Sequence, residues 1–153
     1  MKPTDELRHD HQLLRAELAL LEQQLQALRG ARSTVSRLSD SLASCLRFHT
    51  ERQDRLLARL ASRGEELPSE AVQHLHDEHE NQRTRLAVLH EFLARQDSPV
   101  EDQIVARASE MIEDLKAHIT GEEERLFPVI ERQESGKGAL HHEHEQAGFL
   151  GVP

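Results

Sequence analysis

The strongest constraint on the fold of this chain is the spacing of its apolar side chains, which recur at steps of three and four residues. That spacing places them on one face of an α-helix. Four such segments follow one another, and none alternates apolar and polar residues as a strand would. The sequence therefore predicts four amphipathic helices. Their stripes are Leu7, His11, Leu14, Leu18, Leu21, Leu25 and Leu28; Val35, Leu38, Leu42, Cys45, His49, Gln53, Leu56 and Leu60; Val72, Leu75, His79, Gln82, Leu86, Leu89 and Leu93; and Ile104, Ala108, Met111, Leu115, His118, Glu122 and Leu126.

Residues that begin or end helices separate these four segments. Thr4 is a suitable cap for the first helix, and Gly30 lies where that helix should end. Gly64 and Pro68 mark the end of the second helix and the beginning of the third. The segment 98–101, Ser-Pro-Val-Glu, combines a capping box with proline at the first helical position. Four helices of similar length with short loops predict an all-α fold, an up-down-up-down four-helix bundle.

We expect the bundle to occupy residues 1–132 and a short Gly- and His-rich tail to occupy residues 133–153. The tail segment ALHHEHEQ repeats the pattern of HLHDEHENQ in the third helix, with His144 at the position of His79. Three alternatives are open for it. The tail could form a short extra helix over the open end of the bundle, pair with a neighbouring chain, or remain a disordered His-rich segment.

Charge, hydropathy and cysteine content exclude several classes of protein. The net charge is −9 with histidine counted as neutral, which argues against nucleic acid or an anionic membrane as a partner. The N-terminus has no apolar signal segment, and no apolar run is long enough to span a bilayer. The single cysteine, Cys45, excludes an intramolecular disulfide and fits the reducing cytoplasm. Because Cys45 lies on an apolar stripe without an adjacent cation, we expect an inert thiol.

Each stripe carries a histidine, and these histidines fall at one level of the predicted bundle. At ~1.5 Å rise per residue, His11 lies roughly 10 Å from one end, and His79 and Glu122 lie about 15 Å from the same end. His49 and His118 lie about one turn deeper. Imidazoles and a carboxylate buried among aliphatic side chains are costly unless they are partnered. A bound metal would partner all of them at once.

Taken singly, a histidine on a core stripe is more often a hydrogen-bonded core residue than a ligand, but four at one level favour a metal site. Helix bundles build such sites from inward-facing Glu and His side chains. Three or more imidazoles with few carboxylates suit iron, zinc or copper better than magnesium or calcium. In HITGEEERLFP, residues 118–128, His118 and Glu122 face inward, and residues 123–125 are predicted to face solvent. The segment is therefore predicted to be half of a metal site with a solvated flank.

Over residues 1–132 the chain resembles the hemerythrin-like, or HHE cation-binding, domain family. The resemblance rests on RHDHQLL in the first helix, the histidine near the end of the second, DEHENQ in the third and HITGEEERLFP in the fourth. It implies a four-helix bundle that holds a bridged, non-haem di-iron centre. It also implies a set of metal ligands, namely His11, His49, His79, His118 and Glu122.

The second helix departs from the family pattern at Gln53, where a bridging Glu is expected. A neutral amide cannot bridge two irons as a carboxylate does. Asp54 could supply the bridge instead, or solvent could bridge together with Glu122, or the site could hold one ion or a metal other than iron, such as zinc. His76, one turn before His79, is either a further imidazole ligand or a half-exposed surface residue.

The resemblance implies a protein that binds or senses dioxygen, nitric oxide, or the redox or iron state of its surroundings. One alternative is an iron-centre repair or oxidant-handling protein, for which Cys45 is a candidate thiol. Another is a metal-depleted helical bundle that acts as an interaction module. We expect a binding protein and not an enzyme, cytoplasmic, and either a monomer or a homodimer, with a separate partner for any signalling output.

Overall fold

The computed structural model describes residues 2–26, 32–65, 67–95 and 100–135. The helices are α1, Asp5–Leu25; α2, Arg32–Ser62; α3, Ser69–Ala94; and α4, Val100–Gly121. A π-helical turn, Glu122–Leu126, follows α4 directly, and residues 127–135 continue it as an α-helical segment. The described residues contain no strand, so the predicted all-α fold is confirmed.

The four helices form a closed ring in which α1 packs against α2 and α4, and α3 packs against the same two helices. Ion pairs show the direction of each neighbour. Near the start of α1, Arg8 pairs with Glu131, whereas Glu22, near its end, pairs with Lys116. Across each of the other three interfaces, the residue numbers of the paired side chains likewise increase along one helix as they decrease along the other. Neighbouring helices are therefore antiparallel, and the predicted up-down-up-down bundle is confirmed.

A polar layer separates two apolar clusters within the bundle. The smaller cluster contains Leu7, Leu56, Leu60, Leu67, Phe127 and Ile130. The larger cluster includes Leu14, Leu46 and Leu115, among other buried side chains of all four helices. Along α1, α2 and α4, the buried residues between members of the two clusters are polar. The polar layer is defined by His11, His49, Gln53, His79, His118 and Glu122, all of which are buried.

The π turn changes which side chains face the core beyond Glu122. The regular stripe predicts that Leu126 is buried, but Leu126 is only half-buried, and Phe127 and Ile130 are fully buried instead. In the π turn, the N–H of Phe127 donates to the carbonyl of Glu122, five residues back. The wider turn therefore advances the buried face by one residue. Pro128 follows at once and has no N–H, so a regular α-helix would lose a hydrogen bond here in any case.

The described helix ends agree with the predicted ones except for the cap at Thr4. Thr4 occupies the N-cap position of α1, but its hydroxyl makes no capping bond because it donates to Glu131, at 2.5 Å. Gly64 follows α2 with φ of +70°, in the left-handed region that favours glycine. The predicted end at Gly30 and residues 98–99 of the predicted capping box lie outside the described residues.

The predicted boundary between bundle and tail falls within the last helical segment. That segment runs through residue 135, and residues 136–153 lie outside the described part of the chain. The division at residue 132 and the three alternatives for the tail therefore stay predictions. Among the described helices, none combines the length and the hydropathy needed to cross a bilayer.

Glu131 ties the last helical segment to the beginning of α1. Its carboxylate accepts hydrogen bonds from the hydroxyl of Thr4 at 2.5 Å, from Arg8 Nη2 at 2.7 Å and from Lys2 Nζ at 3.1 Å. The bond from Thr4, and next the bond from Arg8, lower the pKa of the Glu131 carboxyl from 4.5 to about 2. The ionised form of Glu131 is therefore favoured in the folded chain.

Glu131→Gln should lower the free energy of unfolding at neutral pH by roughly 1 kcal/mol or less, as expected for a solvent-screened ion pair. Because the unfolded carboxyl takes up its proton first, the stabilisation is complete above pH 4.5 and is lost as the pH falls toward about 2. Urea unfolding of the wild type and the variant should therefore converge over that range. Glu91→Gln, at an exposed position without an ion pair among the described residues, is the control. A difference that persists undiminished to low pH would contradict this account.

Candidate metal site

Glu122 is a buried carboxylate at the centre of the polar layer. Its Oε2 lies 2.8 Å from His11 Nε2 and 3.1 Å from His49 Nε2. Its Oε1 lies 3.2 Å from His118 Nε2 and 3.8 Å from His79 Nε2. Each oxygen of one carboxylate therefore faces a pair of imidazoles that comes from two different helices.

The carboxylate and the imidazoles shift one another's pKa values. Burial alone would raise the pKa of Glu122, but the imidazoles of His11, His118 and His49 hold that pKa far below its usual range. Burial lowers the pKa of His49, yet the nearby carboxylates of Asp10 and Glu122 outweigh it and raise the pKa to about 9. The pKa of His118 is raised in the same way, against burial, first by the nearby carboxylate of Glu122. The layer thus holds a fixed negative charge that attracts positive charge to its centre.

Gln53 reaches Glu122 from α2 as a hydrogen-bond donor. Its side-chain Nε2 donates to Oε1 of Glu122 at 2.6 Å, and its own Oε1 has no hydrogen-bond partner among the described residues. The amide stands where the family pattern expects a bridging carboxylate. It therefore orients Glu122 without adding negative charge, and the polar layer contains four imidazoles and a single carboxylate.

The buried imidazole of His79 is the clearest sign that the layer is built to bind something. His79 is 1% exposed, and within the described part of the chain neither of its ring nitrogens has a hydrogen-bond partner. An unpartnered polar group in the interior costs about 1–3 kcal/mol. Ligand atoms of His49, His79, His118 and Glu122 all lie within 4.8 Å of one another. This donor set fits a transition-metal ion, which would give the imidazole its missing partner.

Two of the four histidines contact a second carboxylate through Nδ1, the ring nitrogen that points away from Glu122. His11 Nδ1 lies 3.0 Å from Glu123 Oε1, and His118 Nδ1 lies 3.2 Å from Glu78 Oε2. Arg15 holds Glu123 with two hydrogen bonds, at 2.8 and 2.9 Å, and these lower the pKa of the Glu123 carboxyl. Because an ionised carboxylate only accepts, Nδ1 of each ring must donate outward. This fixes each Nε2 toward the centre of the layer, as the outer partners of metal-ligating histidines do.

His49 has a looser outer contact than these two histidines. Its Nδ1 lies 3.8 Å from Asp10 Oδ2, beyond hydrogen-bond distance, and Asp10 is itself held by Arg52 Nε at 3.3 Å. Cys45, one turn before His49, is half-buried and packs against the larger apolar cluster. Burial first, and then the charges of Glu17 and Asp10, raise the pKa of its thiol. The protonated thiol agrees with the expectation that Cys45 is inert.

The structure brings together His11, His49, Gln53, His79, His118 and Glu122, but not Asp54 and His76. These last two lie about half-exposed where α2 meets α3, with His76 Nε2 3.5 Å from Asp54 Oδ1. Neither belongs to the buried cluster.

Sequence reasoning missed the outer carboxylates, and its assignment of Glu123 to the solvent face was wrong. Glu123 lies in the α1–α4 contact against His11. Glu78 is next to His79 in the chain but contacts His118 on the neighbouring helix. The only signal in the sequence was that each carboxylate adjoins a polar stripe residue.

Comparison with protein families gives an independent result. The family model described as the hemerythrin HHE cation binding domain matches residues 2–130, and it matches again over residues 70–150. The first match spans all four helices. The second covers α3 from its second residue, contains α4 and extends over the segment that repeats the sequence pattern around His79. Searches of curated proteins and of solved structures each gave no match.

The outer carboxylates should control metal affinity. Glu123→Gln and Glu78→Gln should each weaken binding of a transition-metal ion by roughly tenfold, because an amide no longer fixes the ring nitrogen that donates. Competition with a metallochromic chelator measures this. Glu124→Gln removes the same charge from the neighbouring exposed position, which makes no ion pair among the described residues, and should leave the affinity unchanged. Equal affinities for all three variants would show that only net charge matters.

Proposed function

The chain belongs to the hemerythrin HHE cation-binding domain family, and we propose that it is a non-haem di-iron protein that binds or senses dioxygen or nitric oxide. The observation that carries this proposal is the placement of one imidazole pair against each oxygen of Glu122. An ion beside Oε2 would be held by His11 and His49, and an ion beside Oε1 by His79 and His118. Glu122 would then be shared by the two ions.

The number and kind of side chains in the polar layer support both the choice of metal and the binding role. Four imidazoles with one carboxylate are suited to iron, zinc or copper, whereas magnesium and calcium take oxygen ligands. Two ions that share five protein ligands would retain open coordination positions, which a small ligand can occupy. The bound iron would supply that open coordination. We therefore propose a ligand-binding or sensing role, carried out in the reducing cytoplasm to which the lone Cys45 is suited.

The surroundings of the layer favour a small uncharged ligand over a thiol-dependent reaction. The two apolar clusters cover the layer from both sides, and the ring of Phe127 stacks on His11 with 5.0 Å between ring centroids. Apolar side chains on both sides of the layer favour an uncharged diatomic gas as its ligand. Cys45 is the only cysteine, and its thiol packs into the larger cluster, so no observation favours the oxidant-handling alternative.

Protein purified without added metal should contain iron, at about two ions per chain, and removal of the metal should lower the melting temperature, because the unfolded chain has no preformed site. His79→Leu should reduce the content to about one ion per chain, since it removes a ligand on the Oε1 side only. His90→Leu changes an exposed histidine of the same helix and is the control. Elemental analysis with optical spectroscopy measures the content.

The same measurement separates the alternatives. Less than roughly one metal per ten chains, with a melting temperature indifferent to iron and zinc, would rule out the metal site. Zinc in place of iron would leave the metal site standing and refute the gas-binding role.

Gln53→Glu should raise iron occupancy and, in the presence of iron, the melting temperature, because the new carboxylate adds negative charge beside two cations. Without metal, the same change places a second buried carboxylate against Glu122 and should destabilise the bundle by roughly 3 kcal/mol. Gln53→Glu should therefore raise the melting temperature with iron and lower it without iron. Gln103→Glu, at an exposed position on α4, serves as the control.

Asp54→Ala gives a further check on the bridge. Asp54 lies at the surface beside His76, so the variant should retain its metal. If Asp54→Ala loses metal while Gln53→Glu changes little, Asp54 supplies the bridge and the proposed arrangement around Glu122 is wrong.

A further inference from the structure

A groove between α3 and α4 opens beside the polar layer. Its volume is about 750 Å³, and His118 and Glu122 reach it at its inner side. Binding sites for small organic molecules occupy roughly 300–1,000 Å³ and are mostly apolar. A diatomic gas needs only a small part of this space. The apolar wall consists of Leu67, Leu75, Met111, Leu115, Leu126 and Val129.

Gln82, one of the residues that line this groove, carries an unused hydrogen-bond acceptor. It lies on the buried stripe of α3, one turn after His79, and is only 6% exposed. Its Oε1 is buried and has no hydrogen-bond partner within the described part of the chain. A buried amide oxygen without a donor costs about 1–3 kcal/mol. A molecule that brings one donor to this oxygen would recover that cost.

The charges around the groove are mostly paired with one another. Arg85 pairs with Asp114, and Glu78 contacts His118. The guanidinium of Arg125 lies over Gly121, within 2.5 Å of where a β-carbon at Gly121 would stand. The third carboxylate of the groove, Glu122, is surrounded by imidazoles of the polar layer, so the groove has little preference for a charged ligand.

We propose that the α3–α4 groove binds an uncharged apolar molecule with one hydrogen-bond donor, an alcohol or a phenol, whose hydroxyl donates to Gln82 Oε1. The apolar wall selects the hydrocarbon part, and the buried acceptor selects the hydroxyl. This inference does not rest on the proposed gas-binding function, because the acceptor belongs to Gln82 and not to the metal site.

The test compares 4-propylphenol with propylbenzene, which has the same hydrocarbon part but no hydroxyl. The chain contains no Trp and no Tyr, so the fluorescence anisotropy of the phenol can be followed without a protein background. Ligand-observed NMR measures propylbenzene. The phenol should bind about tenfold more tightly, the equivalent of one hydrogen bond. Gln82→Leu should abolish that difference and leave propylbenzene binding unchanged, whereas Gln103→Leu, at an exposed position on α4, should alter neither affinity.

A second variant tests the location independently of Gln82. Ala117 is an exposed residue in the wall of the groove, so Ala117→Phe should fill space without disturbing the core and should weaken binding of both compounds about tenfold. Equal affinity of the two compounds would overturn the role of Gln82. Binding that Ala117→Phe leaves unchanged would overturn the location. Failure of both compounds to bind would mean that the groove is closed by another part of the chain or by a second copy, and would overturn the proposal.

Discussion

The rest of the structure depends on the interaction between the buried charge of Glu122 and the polar side chains that surround it. An ion removed from water costs several kcal/mol unless partners surround it, and all four helices supply such partners at one level. Leucine stripes alone would let a helix slide along its neighbours, because one turn of leucines resembles the next. A single level of buried polar side chains removes that freedom, as buried polar residues do in coiled coils. Glu122 therefore sets the register of the bundle as well as the position of the site.

The π turn joins this polar layer to the smaller apolar cluster. It begins at Glu122, and its extra residue places Phe127 where a regular helix would place Leu126. As a result, an aromatic ring, rather than the end of an aliphatic chain, lies against His11. Irregular turns of this kind often occur at functional sites. Here the first residue of the turn, Glu122, supplies the carboxylate, and Phe127, just after its last residue, packs over the polar layer.

Much of this arrangement follows from the sequence, because helical periodicity tells which face of a helix each side chain occupies. The stripes place His11, His49, His79, His118 and Glu122 at one level, and all four imidazoles do lie within 3.8 Å of the Glu122 carboxylate. Periodicity gives no distance between side chains on different helices. Periodicity therefore could not predict the contacts of Glu123 and Glu78 with imidazoles on neighbouring helices. It also could not decide among the alternatives for Asp54 and His76. The π turn was missed for a related reason, since it interrupts the periodicity on which the prediction relied.

The two halves of the polar layer differ in their access to solution. The imidazoles of His11 and His49, at Oε2 of Glu122, are both 0% exposed, and His11 is enclosed by Phe127 on its face and Glu123 behind it. On the other side, His118 borders the α3–α4 groove and His79 borders a smaller cavity between α2 and α3. Gln53 adds no charge to this open half. A bound ion would therefore exchange with solution first at Oε1, because there the side chains are closest to open space.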